Sequence, residues 1–136
     1  MTSGRPSIRS VVVHFLPALS VMAVIFTFSD QPKLPQIPSL STQITSVAGH
    51  FTVYLVLALL LWWALGVFDL STRQRYAIAF VIATLYGISD EWHQSFVPGR
   101  QPDVLDVLTD AIGVTTGLLA IHLAHRSERL RALVPR

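Results

Sequence analysis

The segment from Gly87 to Asp110, GISDEWHQSFVPGRQPDVLDVLTD, holds five of the chain's eight acidic residues, together with His93, Gln94 and Arg100. His93 stands close in sequence to Asp90, one turn before it, and to Glu91. A carboxylate that takes an imidazole proton is a usual way to orient a general base or a metal ligand. The candidate catalytic group is therefore His93 with Asp90 and Glu91. Arg100 could hold an anionic group such as phosphate, which a guanidinium grips in bidentate fashion. Asp103, Asp106 and Asp110 recur at i, i+3 and i+7, a spacing that could present oxygen ligands to a divalent cation. Histidine with carboxylates also suits zinc or manganese. Ser29 and Ser95 are possible nucleophiles, although spacing alone joins neither to His93.

Outside this segment the chain is apolar. Of 136 residues, 51% are hydrophobic and 13% charged, the mean hydropathy is +0.53, and there is no cysteine. Soluble domains carry about 25% charged residues, so a membrane protein is the first expectation. Disulfides, thiolate nucleophiles and cysteine-ligated zinc are excluded, and a net charge of +2 gives no reason to expect a nucleic-acid partner.

Four apolar stretches could position the polar groups. Val11–Phe28 has no formal charge and is long enough to cross a bilayer of roughly 30 Å. It lacks a small-x-small cleavage site and reads as a retained helix rather than a signal peptide, with Pro17 a point of kinking. Residues 29–46, with Pro32, Pro35 and Pro38, read as an irregular loop. The other spans are Gly49–Phe68, Arg75 to about Val97, and Val104 to about Ala124. This predicts an all-α integral membrane protein, a four-helix transmembrane bundle. It has an N-terminal segment over 1–10, one membrane domain over 11–124, and a basic tail over 125–136 that forms a short interfacial helix.

Arginine and lysine placement sets the orientation. With the N-terminus in the cytoplasm, the inner segments hold Arg5, Arg9, Arg73, Arg75, Arg126, Arg129, Arg131 and Arg136. The outer ones hold Lys33 and Arg100. That is a positive-inside bias. Both termini are then cytoplasmic, the chain is a multi-pass protein of the cell membrane, and the charged segment lies at the external face.

At about 100° per residue, Tyr86, Asp90, His93 and Gln94 share a helix face with Ala79, Ala83 and Gly87. Trp92 and Phe96 point the other way, toward lipid. His50 and Tyr54 are i, i+4 neighbours at the external end of the second span, and Ser29 and Asp30 end the first span there. The candidate substrate-binding residues are Arg100, Gln94, His50, Tyr54, Ser29 and Asp30. Ionisable groups at membrane depth are costly and mark functional sites by default. Plainer roles stand beside these. Asp103 follows Pro102 and can be an N-cap with Asp106 at N3. Arg100 can simply balance the acids, and His50 can have a backbone partner. Gly113 and Gly117, like the Ala79/Ala83/Gly87 series, suit close helix packing, either within the bundle or between copies in an oligomer.

SDEWHQSFVPGRQPDVLDVLTDAIGVTTG, Ser89 to Gly117, resembles the signature of the VanZ-like membrane proteins. That pattern is D-E-x-H-Q, P-G-R, then two acids and a small-residue helix. The matches are Asp90, Glu91, His93, Gln94, Pro98, Gly99, Arg100, Asp103 or Asp106, and Gly113. Phe28–Asp30 and the run Gly49–Leu61 resemble further landmarks, so the resemblance covers nearly the whole chain. Two positions depart from it: Ala48-Gly49 stands where lysine is frequent, and Asp110 where asparagine is. The resemblance implies a compact four-span helical membrane domain. The family is named for a protein tied to reduced susceptibility to the glycopeptide antibiotic teicoplanin.

Several functions fit these residues. One is an enzyme of hydrolysis or group transfer at a phosphate or acyl bond of a lipid-linked or cell-envelope substrate, with or without a divalent metal ion. A second is a module that binds a lipid headgroup, a wall precursor or a lipoglycopeptide without catalysis. A third is a structural bundle whose charged segment is a salt-bridge network. Transport fits least, because four short spans show no internal repeat.

Overall fold

The computed structural model describes residues 5–32 and 41–127. Its elements are α1 (Ile8–Ser29), α2 (Thr42–Ala64), α3 (Thr72–Gln94) and α4 (Val104–Arg126), with one 3₁₀ turn at Leu65–Val67. The described residues include no strand. Each helix starts at a residue whose side chain accepts a free backbone N–H: Ser7 from Ser10, Ser41 from Ile44, Ser71 from Gln74 and Asp103 from Leu105. Such a cap contributes about 1 kcal/mol. Gln74 completes a capping box by accepting the Ser71 N–H at 2.9 Å.

The helices start or end a few residues from the expected bounds, and two of these differences have a clear local cause. α2 begins at Thr42, because the Ser41 cap sets its start rather than the onset of the apolar run. α3 ends at Gln94, because Ser95–Gly99 fold into the turn that reverses the chain toward α4. Gly99 takes φ +87°, a left-handed conformation that glycine adopts without a Cβ clash. Most of the proline-bearing loop, with Lys33, and nearly all of the basic tail, with Arg129, Arg131 and Arg136, lie outside the described residues.

Three helices are long and apolar enough to cross a membrane: α1, α2 with its 3₁₀ turn, and α4. α3 has 23 residues, as do α2 and α4, but its arginines at one end and acids at the other make it less apolar. Large apolar side chains face outward all round, among them Leu16, Leu85, Trp92, Phe96 and Leu119. Hydrocarbon accommodates such a surface, whereas on a soluble protein it would be an unusually large patch.

α2 and α4 form the most extensive interface, and glycines make it possible. A Cβ at Gly113 would lie 2.5 Å from the Phe51 carbonyl oxygen, and one at Gly117 would lie 2.9 Å from that of Leu55. Ala79, Ala83 and Gly87 are buried on the inner face of α3. The two small-residue faces therefore lie inside the bundle, where they set helix separation, rather than on a surface open to a second copy.

α1 is the outer helix. Its Ala18, Ile25 and Ser29 are buried, and the Tyr86 hydroxyl donates to the Met22 carbonyl at 2.6 Å. Tyr86→Phe is expected to lower stability by about 1 kcal/mol, the usual net contribution of one hydrogen bond. Thermal unfolding in mild detergent measures this, and an unchanged midpoint would show that apolar contacts alone hold α1.

Candidate functional site

At the end of the bundle where α3 turns into α4, three helices bring titratable side chains together. The His50 ring, from α2, lies against two acids of α4. Its Nδ1 is 2.9 Å from Asp110 Oδ1, and its Nε2 is 3.8 Å from Asp106 Oδ2. Against an ionised Asp110, the short contact assigns the imidazole proton to Nδ1. In the neutral ring Nε2 is then an acceptor. From α3, Glu91 approaches the same point, so that one ligating atom each of His50, Glu91 and Asp106 lies within 4.8 Å of the others.

The α3 residues are locked in place. The Gln94 side-chain amide donates to Asp90 Oδ2 at 3.0 Å and to Glu91 Oε1 at 3.2 Å, one helical turn back. Glu91 Oε2 accepts the Asp103 backbone N–H at 2.9 Å. The reversal at Gly99 thus brings the start of α4 against the carboxylate that ends α3. Asp103 spends its own carboxylate on the Leu105 N–H at 2.8 Å. Asp103, Asp106 and Asp110 therefore divide their work: the first caps α4, and the other two contact opposite edges of His50.

Burial makes these contacts costly to lose. Asp110 is 1% exposed, and Asp90 and Glu91 are each 5% exposed. Among the described residues no lysine or arginine is within salt-bridge distance of these acids. The ion pairs found there all involve histidine. Tyr54, 0% exposed, stacks parallel to His50 with ring centroids 6.4 Å apart, and its hydroxyl has no partner.

His93 lies elsewhere. Its Nε2 is 3.4 Å from Asp30 Oδ1, and its ring is 4.6 Å from that of Phe26. It fastens the end of α1 to α3 and does not join Glu91, Asp106 and Asp110. The pairing of His50 with Asp110 is the feature that sequence reasoning missed. Its one signal was the presence of His50 and Tyr54 on one face at the same end.

A cavity of about 690 Å³ opens between α1 and α2 beside this cluster. Its walls are apolar, formed by residues such as Val24, Ile25 and Phe28 of α1 and Val53 and Val56 of α2. Its polar end is formed by Ser29, His50, Tyr54, Asp90, Gln94 and Arg100. Arg100 has a shielded Nε without a partner and no ion pair among the described residues. The substrate-binding candidates thus converge on this cavity, apart from Asp30, which faces His93.

Comparison with known proteins agrees with this architecture. The VanZ/LLP1 family model matches residues 7–125. A relative in Schizosaccharomyces pombe, the uncharacterized protein C11E3.10, is 30% identical over 123 residues, covering 88% of this chain and 74% of that protein. No solved structure matches. With the family model spanning all four helices and the acidic segment between α3 and α4, the chain belongs to the VanZ/LLP1 family.

Proposed function

We propose that this protein is a four-span membrane enzyme that cleaves or transfers a group at the phosphate or acyl bond of a lipid-linked substrate. The observation that carries this reading is the cavity whose apolar walls end at His50, Gln94 and Arg100. An amphiphile needs those two environments in that order: hydrocarbon along α1 and α2, and polar groups at its head. Arg100 holds the anionic headgroup, since among the described residues no carboxylate is within salt-bridge distance of its guanidinium. His50, oriented by Asp110, serves as the base in place of His93, because only His50 borders both the cavity and the carboxylates. α3 crosses the membrane with its neighbours, since it has their length and packs along them. The eight-to-two distribution of basic residues supports cytoplasmic termini and a site at the extracytoplasmic face. A relative in a yeast favours a lipid carrier over a substrate confined to bacterial walls.

Purified protein in mixed micelles, supplied with a prenyl diphosphate or with a fatty acyl ester, tests this reading. Release of phosphate or of acid is expected from wild type. In Arg100→Ala the KM for a phosphate substrate is expected to rise at least about tenfold, as for a lost charge-assisted hydrogen bond. Binding of either lipid without turnover would favour the second reading, a module that captures a headgroup, wall precursor or the acyl tail of a lipoglycopeptide such as teicoplanin in the same cavity.

A further inference from the structure

We propose that His50 Nε2, Glu91 and Asp106 form a binding site for one divalent cation of the manganese–zinc type, with Asp110 orienting His50 from behind. This goes beyond the proposed reaction and changes one role in it: Nε2 has a single lone pair, so with a cation bound His50 is a ligand rather than the base. A metal could serve catalysis, binding or structure.

Three observations carry the proposal. The first is convergence. The ligand atoms come from α2, α3 and α4 and lie within 4.8 Å of one another. Metal–ligand bonds of about 2.1 Å put two ligands no more than about 4.2 Å apart, so side-chain shifts of less than about 1 Å close the site. The second is the kind of groups that converge. With the His50 proton directed to Asp110, Nε2 and the two carboxylates are all acceptors. Acceptors facing one another without a donor repel unless a cation joins them. The third is charge. Asp90, Glu91 and Asp110 are buried, Asp106 is only 20% exposed at its side chain, and among the described residues no lysine or arginine pairs with any of them. Buried charges are normally paired or bound to metal. An orphaned Asp110 Oδ2 and the unpartnered Tyr54 hydroxyl beside the cluster point to the same missing positive charge.

The surroundings suit a metal centre. Metal-bound histidines commonly donate their other ring N–H to a carboxylate, as His50 does to Asp110. Glu91 is itself held by Gln94 and by the Asp103 N–H. One nitrogen and two carboxylate ligands fit manganese or zinc better than a soft-ligand ion.

The test uses the full chain in mild detergent, stripped with chelator and titrated with Mn²⁺ by electron paramagnetic resonance. One bound Mn²⁺ per chain is expected, and pulsed spectra should show ¹⁴N coupling from the His50 ring. Glu91→Gln and Asp106→Asn should weaken binding at least about tenfold, and Asp110→Asn about 10–100-fold. Absence of stoichiometric Mn²⁺, with Zn²⁺ also unbound by elemental analysis, would overturn the proposal. So would bound Mn²⁺ without nitrogen coupling, or unchanged affinity in Glu91→Gln and Asp106→Asn. If those variants fail to fold, the wild-type nitrogen coupling decides. Metal bound without turnover of any lipid would sustain this site while removing the proposed reaction.

Discussion

Gly113→Ala is expected to destabilise the protein by about 3 kcal/mol or more, while Gly49→Ala is expected to be neutral or mildly stabilising. Both glycines are helical, so alanine's intrinsic advantage of about 1 kcal/mol applies to each. Their surroundings decide the outcome. A Cβ at Gly49 meets nothing within 4 Å, whereas one at Gly113 lies 2.5 Å from the Phe51 oxygen and 3.3 Å from the Leu55 nitrogen. The obstacle at Gly113 is backbone, which cannot swing aside, so α2 and α4 must separate. Overpacking typically costs about 1–3 kcal/mol, and a rigid backbone obstacle belongs at the upper end or beyond. The separation would also draw His50 away from Asp110. Thermal unfolding in one detergent compares the two variants, and equal midpoints would refute the close α2–α4 approach.

Substitution of His50 should have the second large effect, and the form of the substitution separates chemistry from structure. His50→Ala leaves Asp110 buried without its hydrogen-bond partner. Breaking such a buried pair costs about 3–5 kcal/mol. Adding Asp110→Asn removes the stranded charge, and the double variant should recover part of that loss. His50→Gln keeps a donor for Asp110 but has no titratable nitrogen. It should fold, yet lose turnover by about 10²–10⁴-fold, the usual contribution of a general base. A folded His50→Gln with full activity would reduce His50 to a structural role, and the site would then be a salt-bridge network.

The apolar runs made four helices legible from composition alone. Their starts were less so, because a cap such as Ser41 fixes an N-terminus that hydropathy does not register. The segment from Asp90 to Asp110 was legible as the polar centre for the same reason it is costly: acids in an apolar chain need a purpose. Which histidine joins them was not legible. Proximity in sequence favoured His93, yet residues two apart on a helix point about 160° away from each other, so His93 turns to α1 while Glu91 turns to α4. His50 reaches Asp110 across 60 residues of chain, and only the packing of α2 on α4 brings them together. Likewise, Asp103 to Asp110 read as one ligand set until the cap claimed the first carboxylate.

That 60-residue interval also has a consequence for biosynthesis. At about 5–20 residues per second, a ribosome that has finished His50 needs roughly 3–12 s more to reach Asp110. Throughout that time α2 has neither its largest interface nor the carboxylate that fixes its imidazole, and Glu91, once made, waits for the Asp103 N–H. The polar centre is therefore assembled last, when α4 emerges. A chain stopped after α3 would leave Glu91 without the Asp103 N–H and α3 without its contacts to α4.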